Sequence, residues 1–223
     1  MKKTIITCMS ALTLALILAG CGNNSNNTSK PSGKSARITN TTAGKSKHRA
    51  KNETLLKIGQ WKNDDNWGKI TLEKIVFPKS VIKDGPLEIS IDNISLRKVQ
   101  PHTNDQKQLA DYKLKNSKVT SPYYTIHINY AVKNTSNDKV QLNGLKSITT
   151  NTGQKIKSNS GLFYGDKATK VAPNTTKGAS AEGLVEKGDE SKANKITLDF
   201  KGSIDTEEPQ STGSAEPMSF NLK

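Results

Sequence analysis

Cysteine is nearly missing from this chain: its 223 residues hold only Cys8 and Cys21. A body without cysteine has neither a disulfide framework nor a thiolate metal site, so its fold rests on core packing. Histidine is almost as scarce, with His48, His102 and His127 far apart and none in an HExxH or paired spacing. That pattern excludes a recognisable zinc centre and offers no cofactor ligand set. Arginine occurs only at Arg37, Arg49 and Arg97 among 34 basic residues. Lysine is a hydrated point charge without the planar fork that grips phosphate, so the composition argues against a specific nucleic-acid site. Aromatics make up 5% of the chain, so the core is expected to be Ile, Leu and Val with Tyr at its margins. Serines are plentiful, but none lies in a Gly-x-Ser-x-Gly elbow, and the scattered glycines form no phosphate-cradling loop. No helical apolar stripe persists beyond two turns, which excludes a two-lobed α/β solute receptor. With no convergent titratable groups in view, the chain reads as a non-enzyme.

What is present begins at the N-terminus. Lys2 and Lys3 precede residues 5–19, which carry no charge and are too few to span a bilayer, as in a secretory signal. The run closes on Leu18-Ala19-Gly20-Cys21. This tetrad resembles the lipobox of bacterial lipoproteins, in which the cysteine thiol takes a diacylglycerol thioether and the chain is cut between Gly20 and Cys21. The resemblance implies a signal peptide over 1–20, membrane anchoring through lipid on Cys21, and a location on the extracellular face of the cell membrane.

Residues 21–53 read as a tether. Apolar side chains are nearly absent from 22–52, which carry seven basic residues and no acid. Such a segment cannot bury enough surface to offset its ordering entropy, so disorder is expected. As a flexible coil it would hold its cargo roughly 30 Å from the anchor. Its charge suits diffuse attraction to anionic lipid or, in a Gram-positive envelope, teichoic acid. The same lysine excess is equally accounted for by composition alone, since net charge speaks to association and not to fold. The charge is uneven: residues 22–181 hold 27 Lys and Arg against 11 Asp and Glu, whereas 182–216 hold four against nine.

Residues 54–223 read as strands. Ile70 and Leu72 alternate before Pro78, and Leu87, Ile89 and Ile91 keep strict period two. The phase then slips to Ile94 and Leu96, which predicts a bulge near Asp92-Asn93. Tyr124, Ile126, Ile128, Tyr130 and Val132 form the clearest stripe, ended by a turn at Asn134-Thr135-Ser136-Asn137. On this pattern His127 points away from the core, toward the sheet surface. Shorter runs follow at 140–142, 145–150, 177–185, 195–200 and 217–222, separated by Gly, Asn and Pro clusters. Residues 104–118 are compatible with either a short helix or a loop. Closely spaced strands without intervening helices predict an all-β antiparallel sandwich of about seven to nine strands, one face packed and the other wet.

The run Tyr130-Ala131-Val132-Lys133-Asn134-Thr135, the stretch from Leu145 through Gly153-Gln154-Lys155-Ile156, and the turn at Ala172-Pro173-Asn174 resemble a family of immunoglobulin-like domains found in Gram-positive lipoproteins. That family is similar in fold to a small secreted mycobacterial immunogenic antigen. The resemblance implies an immunoglobulin-like sandwich and no catalytic site, so no functional residue carries over from it.

The segment Trp61-Lys62-Asn63-Asp64-Asp65-Asn66-Trp67-Gly68 holds both tryptophans. Trp61, Asp64, Asp65 and Trp67 form a candidate binding patch, with indole faces as platforms and carboxylates as acceptors. The alternative is a turn closing one end of the sandwich. A calcium loop is disfavoured because no distal bidentate glutamate follows. The Leu162-Phe163-Tyr164 cluster reads as core edge before exposed anchor. The whole is expected to be a membrane-anchored extracellular module acting by binding, with an unidentified protein partner. A structural subunit of an envelope or secretion complex is the alternative, and an envelope enzyme a more distant one.

Overall fold

The computed structural model describes residues 48–115, 119–158, 160–164, 169–206 and 210–223. The signal segment, the tether as far as residue 47, and the lipobox residues Leu18, Ala19, Gly20 and Cys21 lie outside the described residues. The chain opens with β1 (Trp61–Asp64), β2 (Gly68–Val76), β3 (Val81–Asp84) and β4 (Leu87–Gln100), then α1 (Asn104–Leu114) and β5 (Tyr123–Asn134). Next come β6 (Val140–Leu142), β7 (Leu145–Thr150), β8 (Lys155–Lys157), β9 (Leu162–Tyr164) and β10 (Thr169–Val171). The last are β11 (Thr176–Val185), β12 (Lys195–Phe200), β13 (Ser203–Asp205), β14 (Ser211–Gly213) and β15 (Met218–Asn221).

These strands make the antiparallel sandwich that the alternation predicts. One layer is a seven-stranded sheet in the order β1-β2-β4-β5-β11-β9, with β3 also paired to β4. The other layer consists of two four-stranded sheets, β15-β12-β7-β8 and β10-β6-β13-β14. They adjoin where β6 runs into β7 and β12 into β13. There Asn143 N–H donates to Gly202 O at 3.2 Å and Lys201 N–H donates to Gly144 O at 2.9 Å. Division of this layer into short pieces brings the described strands to fifteen, more than the seven to nine expected.

The main core lies between the layers. Ile126, Ile128, Tyr130 and Val132 of β5 share its face with Leu96, Ile94, Ile91 and Ile89 of β4, their register partners. The register shifts between Ile91 and Asn93, so the expected bulge is there. It turns Asn93, Ser95 and Arg97 onto the opposite face of the sheet. Tyr130 is central and not marginal: it is 1% exposed and meets Phe200 edge-on, with ring centroids 5.7 Å apart.

Asn134 ends β5 as a buried clamp. Its Nδ2 donates to Asp138 O at 2.7 Å and Val171 O at 3.1 Å, while its Oδ1 accepts from Ser136 N–H at 3.0 Å. The polar run after β5 is therefore a closed turn tied to β10. Asn134→Ala removes a donor from the buried Val171 carbonyl, whereas the part-buried Asp138 carbonyl keeps Ser136 Oγ at 3.2 Å, so the change should cost about 1.5 kcal/mol in chemical denaturation. A loss below about 0.5 kcal/mol would show that water replaces the clamp.

The second face of the seven-stranded sheet is not simply wet, as alternation alone suggested. Ile70, Leu72, Ile75, Val99, Tyr123 and Leu184 form a separate apolar cluster there, covered by Ala110 and Leu114 of α1. The helix forms because Thr103 and Gln106 build a reciprocal capping box and Lys115 closes it in the left-handed region, φ 47°. Residues 48–53, assigned from composition to the tether, belong to this folded unit. Ala50 is 3% exposed, its N–H donates to Trp61 O at 2.9 Å, and Leu55 is buried in the same cluster.

Candidate functional site

Cross-strand register sets a polar field beside this second cluster. Arg97 of β4 lies opposite Thr125 of β5, which lies opposite Leu184 of β11. One step along, Ser95, His127, Glu182 and Phe163 align across four strands, and beyond them Asn93, Asn129 and Ser180. The surface-facing phase of β5 thus carries Thr125, His127 and Asn129 together.

These groups form a hydrogen-bonded chain. Glu182 accepts from the Thr125 hydroxyl and pairs with His127 Nδ1. His127 Nε2 meets Asn129 Oδ1 at 3.0 Å, and Asn129 Nδ2 donates to Asn93 Oδ1 at 3.3 Å. The His127 and Glu182 side chains are only 16% and 17% exposed. Burial pushes the Glu182 carboxyl up, but the His127 ring and its hydrogen bond, Arg97 and the Thr125 hydroxyl outweigh it. Together they hold the group below its ordinary 4.5. Arg97 donates from Nε to Ser95 Oγ at 3.1 Å. Burial lowers its pKa, against the opposing fields of Glu182 and Asp64.

Above Arg97, His127 and Glu182 opens a cleft of about 230 Å³, walled by Trp67 and Phe163, with Lys62 and Asp64 at its rim. The two aromatic rings make a tilted corner, centroids 6.3 Å apart and planes at 52°. Lys113 of α1 caps the Phe163 ring at 4.9 Å. Trp67 is placed by the β1–β2 turn, where Asp64 Oδ1 accepts from Asn66 N–H at 3.0 Å and Trp67 N–H at 3.2 Å. Gly68 follows at φ +82°, and a Cβ there would sit 2.4 Å from Gln100 O, so only glycine lets the turn dock. Gln106 Nε2 of α1 then donates to Asp65 O at 3.1 Å, tying the turn to the helix.

Of the four residues singled out in this segment, the structure brings two to the cleft. Asp64 and Trp67 line it. Asp65 is exposed in the turn, and Trp61 pairs with Thr71 on the opposite phase of the sheet, under Lys69 at 4.7 Å. The indoles are separated because Trp61 sits in β1 on the other face of the sheet while Trp67 projects from the turn, although the two are close in sequence. Arg97, His127 and Glu182 escaped the sequence reading because the β5–β11 register is a tertiary fact. The available signal was three polar residues on the free phase of the clearest strand.

A larger cleft of about 340 Å³ is lined by Pro122, Tyr123 and Leu184, with Glu186, Lys187 and Glu190 also in its lining. The Tyr123 hydroxyl is buried without a partner, and burial with the Glu182, Asp111 and Asp64 charges drives its pKa well up. Among the described residues, no three His, Cys, Asp or Glu side chains are grouped to hold a metal, and no helix is long and apolar enough to cross a membrane.

No protein-family model matches this chain, and no curated protein matches its sequence. Among solved structures it is similar to the yjhA protein from Bacillus subtilis, at 11% identity and a TM-score of 0.42, over 62% of this chain and 94% of that one.

Proposed function

We propose that this protein is a lipid-anchored, extracellular binding module, held to the membrane through Cys21, that binds in the Trp67–Arg97–Phe163 cleft without transforming what it holds. The observation that carries the reading is how the polar groups are committed. Glu182 is engaged by Thr125 and His127, and both nitrogens of the His127 ring face oxygen partners. A general base or nucleophile needs a lone pair directed at substrate, and here the acid–base pair is spent on its own neighbours. What stays open is a recognition surface: an arginine edge, two aromatic walls and apolar strand residues. The basic tether adds attraction to anionic lipid or teichoic acid, keeping the module near the surface.

Two measurements test the reading. Cys21→Ala should release the protein from the membrane fraction into the medium, and retention there would refute lipid anchoring. A ligand captured by the cleft should be recovered chemically unchanged after prolonged incubation with the full chain. Its conversion would refute the non-catalytic part.

A further inference from the structure

We infer that the cleft binds a small monocarboxylate with an apolar or aromatic body, its carboxylate seated on the outer edge of the Arg97 guanidinium. This rests on reading the cleft as a binding site and adds the chemistry of what enters. The two carboxylates in its lining are already engaged. Asp64 Oδ1 takes two backbone N–H groups, and its Oδ2 faces Lys62 Nζ at 3.8 Å. Glu182 is taken by Thr125 and His127, and Asn129 Oδ1 by His127. The donors are not. Arg97 uses only Nε, toward Ser95, and its two terminal nitrogens have no hydrogen-bond partner among the described residues. A desolvated site whose open valences are donors is completed by an acceptor, and a planar fork is completed best by a planar carboxylate in two parallel bonds.

Charge selects the kind of anion. Asp64 and Glu182 both lie in the lining, so their fields oppose a phosphate dianion more than a singly charged carboxylate. Volume and walls select the body. A cavity of roughly 150 Å³ with apolar walls is enough for benzene. The 230 Å³ here, with Ile70, Val99, Trp67 and Phe163 in the lining, takes one ring and its carboxylate. Both a free aryl acid and the C-terminal residue of a peptide meet this description.

The test titrates the full-length protein in detergent with 3-phenylpropionate, 3-phenylpropionamide, phenyl phosphate and N-acetyl-Gly-Phe. Calorimetry and the indole N–H resonance of Trp67 report binding, with Trp61→Phe making that resonance unique. The acid should bind saturably and shift the Trp67 signal, and the amide should bind at least about tenfold more weakly, because the charge-assisted pair is lost. Arg97→Gln should erase the preference for acid over amide. Should that variant fail to fold, the wild-type acid–amide ratio and the Trp67 shift decide alone. Tighter binding of N-acetyl-Gly-Phe than of phenylpropionate marks a peptide terminus as the source, and the reverse marks a free acid. Equal binding of acid and amide, tighter binding of phenyl phosphate, or saturation without a Trp67 shift overturns the inference. Those results leave Cys21 anchoring untouched, whereas conversion of a bound probe would refute the non-catalytic reading and leave carboxylate docking standing.

Discussion

Glu182→Ala should lose about 3 kcal/mol of unfolding free energy at pH 7, the cost of leaving buried partners of an ion pair uncompensated. The Thr125 hydroxyl and His127 Nδ1 both lose their acceptor, and Arg97 loses the stronger of the two negative charges acting on it. The effect depends on pH in a definite direction. Because the folded carboxyl titrates below its ordinary 4.5, its contribution is complete above that value and fades as pH falls through the lower folded one. The gap between wild type and Glu182→Ala should therefore be flat at neutral pH and narrow below about 4.5. Glu182→Gln keeps the shape and an amide partner, so it should cost only about 1 kcal/mol and lack the acid limb. Urea denaturation across the acid range reads all three proteins. A gap that widens on acidification would mean that Glu182 is better accommodated neutral.

Gly213→Ala should cost about 3 kcal/mol or more, through a mechanism with no electrostatics in it. The β3–β4 turn presses its backbone onto β14. A Cβ on Gly213 would lie 2.2 Å from Gly85 N and 2.6 Å from Asp84 C, and one on Gly85 would lie 2.1 Å from Thr212 O. No side-chain rotation relieves such overlaps, so the two hairpins must separate. Separation also breaks a buried polar chain in which Thr212 Oγ1 donates to Ser203 Oγ and Ser203 Oγ donates to Asp84 Oδ1, each at 2.9 Å. Gly178 is the control: nothing lies within 4 Å of its added methyl, so Gly178→Ala should stay within about 0.5 kcal/mol of wild type. Equal melting of the two alanine variants would mean that the hairpin approach is compliant.

How far the primary structure discloses this fold depends on the range of each interaction. The stripe Tyr124 to Val132 and the slip at Asp92-Asn93 are local, and both strand and bulge follow from them. Over 104–118 the sequence fits helix and loop alike, because the helix has a weakly apolar face with only Ala110 and Leu114 buried, and its start is fixed by the Thr103–Gln106 capping box. The second cluster is harder to foresee. Ala50 and Leu55 are isolated apolar residues in a polar stretch, and only the sheet face they cover gives them a role. The site lies further off. Arg97, His127 and Glu182 come from three strands, and nothing within any one strand specifies that positions 127 and 182 face each other. Trp67 was conspicuous by type, but its placement depends on the close approach of Gly68 to Gln100.

The lengths of the outermost strands bear on crowding. The strands at the margins of the three sheets, β1, β3, β9, β10, β14, β8 and β15, are all three or four residues long, while β4, β5 and β11 inside run to ten or more. Residues 48–50 also occupy part of the free side of β1, through Trp61. Along these short margins a neighbouring copy finds few aligned amides to extend a ladder, the usual route from a β-rich surface to fibres, while residues 176–180 of β11 extend beyond the three residues that β9 pairs. On the lipid-anchored reading proposed above, copies held in one plane would meet one another mostly along short margins, which disfavours growth of a shared ladder between them.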